Sequence, residues 1–187
     1  MTKKRVIIVT LVVAGIFLIY NLIWFFSVGL KYIGYESKLN KIESAGSAIK
    51  YSGEIDGYLY QIKPAGYLSF KSGFLTVSKI NDKKFLMTGE GDERRVFYFD
   101  ADGNKQYVDD YFTITFYYWN NGLGGPHYGI MYEDETLFAM IIIDNELNVL
   151  NGEDGGYKEE FQEVVDKNSD SITDLMNRAK ELWGLEY

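Results

Sequence analysis

The chain reads as an α+β protein: an N-terminal transmembrane helix, then a largely antiparallel β-sheet domain with a C-terminal helix packed on one face. Three observations predict it. An apolar run opens the chain, short aromatic and β-branched runs divided by turn residues fill the middle, and the apolar spacing lengthens to three and four residues near the end.

Lys3, Lys4 and Arg5 precede the apolar run Val6–Val28, which is 23 residues long. A helix rising ~1.5 Å per residue crosses a hydrocarbon core of about 30 Å with about 20 residues. Tyr20, Trp24, Phe25 and Phe26 crowd the far end, where aromatic rings prefer the membrane interface. The layout is a cytoplasmic tail 1–5, a transmembrane signal anchor 6–28, a juxtamembrane stalk or short helix 29–52, and an extracytoplasmic domain 53–187. A cleaved secretory signal is the rival: Ser27-Val28-Gly29 offers small residues for cleavage, but the apolar core of such signals runs about 7–15 residues. Lys31, Lys38 and Lys41 follow the run, so positive residues are level on its two sides. A basic tail packed directly against a first apolar helix favours the N-terminus inside and the domain outside.

The formal net charge is -8, and the first five residues carry +3, leaving -11 on the rest. Such a domain repels nucleic acid, so no nucleic-acid partner is expected. There is no cysteine, hence no disulfide, thiol chemistry or lipid-modified cysteine. An extracytoplasmic domain without disulfides or an Asn-x-Ser/Thr sequon fits a Gram-positive bacterium.

In the stalk, the apolar spacing Leu39, Ile42, Ala45, Ile49 is helix-like. Beyond it the predicted strands are 58–63, 67–71, 74–80, 84–88, 95–100, 112–119, 128–132, 137–144 and 147–150. Pro64-Ala65-Gly66, Ser72-Gly73, Asn81-Asp82, Asp102-Gly103, Asn120 to Pro126 and Asp144-Asn145 break them. Connections this short leave no room for crossover helices, so the sheet is antiparallel. Alternation puts Phe112, Ile114, Phe116 and Tyr118 on a core face and Thr113, Thr115, Tyr117 and Trp119 on the other. Leu137–Ile143 is apolar throughout and reads as a central strand covered on both faces.

After residues 151–156 (NGEDGG), Phe161, Val164, Val165, Ile172, Leu175, Met176, Ala179, Leu182 and Trp183 mark one face of a helix. Ser171-x-x-Asp174 is similar to a capping box, which predicts two helical pieces meeting near Asn168–Ser171, and Gly184 is the expected stop.

Chemistry-bearing patterns are sparse. His127 is the one histidine, so a zinc site lacks ligands, and no G-x-S-x-G elbow accompanies it. Residues 100–104 (DADGN) have acidic spacing, but the glycine comes fourth rather than sixth and Tyr stands at 111, so a hairpin turn explains them better than a calcium loop. Asp92/Glu93, Asp109/Asp110, Glu133/Asp134/Glu135 and Glu159/Glu160 form an acidic surface, and no pair stands out as the carboxyls of a sugar cleft. No catalytic, cofactor or metal residues are expected. What remains is tyrosine and tryptophan, which bury large area at low entropic cost. Tyr117, Trp119, Tyr128 and Tyr132, with Asp109 and Asp110, are the candidate partner interface.

The tethered N-terminus, the lack of cysteine, the acidic β-rich domain, the stretch His127–Asp144 (HYGIMYEDETLFAMIIID) and the close on Leu182-Trp183-Gly184 resemble the TipC family. These are immunity proteins against toxins exported by type VII secretion in streptococci. The resemblance implies a single-pass, outward-facing protein of the cell membrane that serves in interbacterial competition. It would bind a secreted toxin attacking cell-wall precursor lipid and block it by occlusion, without catalysis. It carries over no active residues. The alternatives are an envelope module binding lipid or glycan through the aromatic sheet face, and an anchored hydrolase using an acidic pair.

Overall fold

The computed structural model describes residues 3–30, 33–34, 37–41, 51–69, 73–81, 86–88, 95–108, 111–120, 126–134 and 136–184. Helix α1 spans Lys3–Trp24 and continues through a π-helical segment, Phe25–Gly29. Over Lys3–Gly29 it is long and apolar enough to cross a membrane, and its apolar window has no residue buried in the protein.

Among the described residues, ten strands form two antiparallel sheets. The larger has seven, in the order β1 (Asn40–Lys41), β2 (Tyr51–Ile55), β3 (Tyr58–Lys63), β4 (Phe74–Lys79), β8 (Phe112–Asn120), β9 (Pro126–Asp134) and β10 (Phe138–Ile143). The smaller has three, β5 (Leu86–Thr88), β6 (Arg95–Phe99) and β7 (Lys105–Val108). Helices α2 (Lys158–Lys167) and α3 (Ser169–Trp183) close the chain. The fold is α+β, as the pattern predicts.

Register explains the core. Ile62, Leu75, Tyr118, Tyr128 and Ile143 lie opposite one another across five strands, and Tyr60, Val77, Phe116, Ile130 and Ile141 form the next row. All ten are buried, and the buried side of α2 and α3 (Val165, Ile172, Leu175, Met176, Ala179 and Trp183) packs on them. Burying one such aliphatic or aromatic side chain contributes about 1.5–3 kcal/mol relative to leaving it exposed. The helices meet at Asn168, which is buried and donates its amide to the Val164 carbonyl at 2.8 Å. Trp183 meets Tyr60 edge-on with ring centres 6.0 Å apart. Gly184 then takes φ 63° and donates to the Lys180 carbonyl at 2.7 Å, ending α3 where expected.

Several expectations are corrected. Ser171 lies within α3 and caps nothing, because the helix already begins at Ser169 and Asp174 turns instead to Tyr58. Residues 67–68 form a turn, not the start of a strand, with Leu68 at φ 60°. Leu147–Leu150 contributes one bridge, Ile143 to Val149, rather than a strand. Of the stretch 29–52, read as a juxtamembrane stalk or short helix, Asn40 and Lys41 form a strand and Tyr51 and Ser52 belong to β2, while residues 42–50 lie outside the described residues. Phe112 is 47% exposed because it stands at the end of its strand.

The largest correction concerns Phe138–Ile143, which is the edge strand β10, with Phe138 66% exposed. Its outer edge is covered by the chain that follows. The Asn151 amide accepts from Ile142 N–H at 2.8 Å and donates to the Met140 carbonyl at 2.9 Å, and Leu150 N–H donates to the Ile142 carbonyl at 2.8 Å. Gln162 repeats the device one layer out, accepting from Val149 N–H and donating to the Leu147 carbonyl.

Candidate functional site

The face of the large sheet turned away from α2 and α3 carries an aromatic band. Trp119 and His127 are opposite each other on β8 and β9, and their rings stack with centres 5.8 Å apart and planes 19° apart. Tyr117 follows two residues before Trp119 on the same face and lies 5.6 Å from the Phe74 ring of β4. The Lys63 ammonium stands 5.7 Å from the Phe74 centroid. All five side chains are half-buried, and Thr76 beside Tyr117 is fully buried. Opposite Tyr117 stands Gly129, and a Cβ there would come within 3.2 Å of the Trp119 ring. The bare glycine lets the indole lie across β9.

Of the predicted interface residues, Tyr117 and Trp119 belong to this band. Tyr128 and Tyr132 do not: they are 7% and 5% exposed and lie on the core face opposite Tyr118 and Ile114. Parity on β9 sends His127, Gly129 and Met131 to the band and Tyr128, Ile130 and Tyr132 inward. Burial and a 2.9 Å hydrogen bond to Asp134 raise the Tyr132 phenol to about 12. Asp109 and Asp110 lie outside the described residues. His127 and Gly129 were not in the predicted interface; the signal that finds them is the β8–β9 register, which places every second residue of the two strands together.

A second aromatic surface lies on the small sheet. On β6 and β7, Phe97, Phe99, Lys105 and Tyr107 share one face. The Lys105 ammonium sits 3.8 Å from the Phe97 centroid and 4.8 Å from that of Tyr107, with the Arg95 guanidinium 5.8 Å from Tyr107. Phe99 and Tyr107 are 57% and 52% exposed. Their positions follow the Asp102-Gly103 hairpin, where Gly103 has φ 82° and the Asp100 carboxylate accepts from the N–H groups of Asp102 and Asn104. The Asn104 N–H first, and then the Gln106 side-chain amide donating at 2.8 Å, hold Asp100 below the usual carboxylate range.

A cleft of about 860 Å³ opens between the start of α3 and the ends of β3, β4 and β8. Asp170 and Asp174 stand one helical turn apart on its helical wall. Asp174 accepts from the Tyr58 hydroxyl at 2.5 Å and from the Arg178 Nε at 3.3 Å, and the Arg178 guanidinium stacks 3.8 Å from the Tyr58 ring centre. The Asp174 hydrogen bond, followed by burial, raises the Tyr58 phenol. A glycosidase sets its carboxyls on opposite sides of the sugar. Here both are on one wall, and the strand wall offers Ser78, Lys79, Thr113 and Thr115. Among the described residues no group of three or more His, Asp or Glu side chains is placed to hold a metal ion.

Compared with known proteins, the chain matches no family model, no curated protein and no solved structure.

Proposed function

We propose that the chain is a single-pass, outward-facing immunity protein of the TipC kind, which binds a secreted toxin acting on cell-wall precursor lipid and blocks it by occlusion. The observation that supports this most is the aromatic band of Phe74, Tyr117, Trp119 and His127 on a tethered domain. Stacked rings on a rigid sheet are the residue types that dominate binding energy at protein interfaces. The surplus of negative charge beyond residue 5 would steer a partner with a basic rim and speed encounter. An inhibitor of this kind needs no reactive group and must sit where its target acts.

The test is direct. Full-length protein in detergent micelles is passed over proteins secreted by its source organism and a close relative, and whatever binds is assayed for toxicity with and without the protein. The expected result is one stoichiometric secreted partner whose toxicity is suppressed, with binding weakened by Trp119→Ala and not by Tyr107→Ala. Retention of no protein by well-folded material would overturn toxin binding and move lipid or glycan recognition to the front. Loss of binding in Tyr107→Ala alone would shift the interface to the small sheet.

A further inference from the structure

The turn between β3 and β4 is docked on the last turns of α1. Tyr67 donates its hydroxyl to the Asn21 side-chain oxygen, Tyr20 donates to the Leu68 carbonyl at 3.4 Å, and Trp24 Nε1 donates to the Ser69 carbonyl at 2.9 Å. The Tyr67 and Trp24 rings meet edge-on at 5.5 Å. This inference rests on the reading that α1 spans a bilayer. If Val6 marks the inner edge of the hydrocarbon, Asn21 lies about 22 Å along the helix and Trp24 about 27 Å, both short of a hydrocarbon thickness of about 30 Å. A turn held against residues 20–24 is then at the depth of lipid, not of bulk water.

Four backbone groups of the turn are paired within the protein. Backbone groups exposed to hydrocarbon must find internal partners. The carbonyls of Leu68 and Ser69 take the helix donors above, and Ser69 N–H donates to the Gly66 carbonyl at 2.8 Å. The Asn21 amide is satisfied at both ends, receiving Tyr67 and donating to the Phe17 carbonyl at 2.7 Å. Tyr67 is 69% exposed to surroundings that the rest of the protein does not supply. In sequence, residues 64–70 (PAGYLSF) carry no charge and are bracketed by Lys63 and Lys71, in a chain of net charge -8.

We propose that residues 64–69 are a second membrane contact, a lipid-immersed turn clamped to the anchor, which fixes the sheet domain against the bilayer instead of leaving it on a free tether. The absence of native cysteine makes the test clean. Gly66→Cys and Phe17→Cys, each carrying a nitroxide, are reconstituted full-length in palmitoyl-oleoyl-phosphatidylcholine vesicles. Collision with oxygen is compared with collision with a water-soluble nickel complex. The expected result is an oxygen-to-nickel ratio at position 66 several-fold above that of a free nitroxide in buffer and approaching that at position 17. An aqueous ratio at 66 with a lipid ratio at 17 overturns the proposal while the anchor stands. Aqueous ratios at both positions overturn the anchor and the proposal with it. Tyr67→Cys gives an independent label in the same turn if Gly66→Cys does not fold.

Discussion

Trp119 crosses over Gly129. An added Cβ at position 129 would lie 3.2 Å from two ring carbons of the indole and 3.0 Å from the Ile141 carbonyl oxygen on the neighbouring strand. The backbone oxygen cannot yield easily, so the indole must move.

Gly129→Ala is therefore expected to destabilise the fold by about 1–3 kcal/mol, the usual range for overpacking a filled site. Displacing the indole by a few tenths of an ångström also disturbs its stack on His127. The measurement is urea unfolding of the full chain in micelles, with tryptophan emission recorded in the native baseline. An unchanged midpoint and an unchanged native spectrum would show that the band has slack at β9.

Tyr58→Phe is expected to cost about 1 kcal/mol, since it removes a hydrogen bond to a carboxylate that keeps water on its other side. Asp174 is 48% exposed in its side chain, so solvent screens its ion pair with Arg178. The phenol gives an independent readout. Asp174 is the largest cause holding Tyr58 up, so Asp174→Ala should lower the tyrosine titration in a difference absorbance measurement. No change would show that Tyr58 is raised by burial alone.

Acid should weaken the turns before the core. Asp134 and Asp144 both sit below the usual carboxylate range. Burial opposes their ionisation, and hydrogen bonds outweigh it: from Leu137 and Thr136 N–H at Asp134, and from Asn148 and Glu146 at Asp144. A depressed folded pKa means the stabilisation is present above the unfolded value of about 3.9 and is lost as pH falls through the folded value. The melting temperature should fall below about pH 4, and less steeply in Asp144→Ala, which has already lost that term. Tyr132 has the opposite sign: its raised phenol should cost stability as pH climbs from about 10 to about 12. Parallel acid limbs for the two proteins would remove Asp144 from the account.

Asn151→Ala is expected to cost about 1–3 kcal/mol, because it strips partners from Ile142 N–H and the Met140 carbonyl together. It should also uncover an apolar edge. Light scattering in micelles at rising protein concentration would then show self-association absent from the parent protein.

The sequence made the layers readable and left the pairing hidden. Alternation along 112–119 sorted Ile114, Phe116 and Tyr118 from Tyr117 and Trp119 correctly, because a pleat fixes side-chain direction locally. It could not say which parity β9 would take against β8, and a shift of one residue moves every side chain to the other face. That is why Tyr128 and Tyr132 were grouped with Trp119 and why His127 and Gly129 were not. The same gap made Phe138–Ile143 look central: its covering groups are side-chain amides at 151 and 162, which periodicity does not register. Lys105–Val108 escaped notice as a strand because only one of its four residues is aliphatic, and its β6 partner comes through the Asp102-Gly103 turn. The helical face and the stop at Gly184 are legible because both are local signals, whereas the start of α3 is not, since the Ser171-x-x-Asp174 pattern lies inside the helix.

On the proposed anchoring, the chain would meet its own copies in two dimensions, at local concentrations far above those of a soluble protein. An unfinished sheet in that setting is a template for growth, one molecule recruiting the next by strand addition. The borrowed amides of Asn151 and Gln162 act there as a stopper: they occupy the hydrogen-bonding positions that a neighbour's backbone would take. The last strand of the large sheet is thereby guarded against addition of a neighbour's strand.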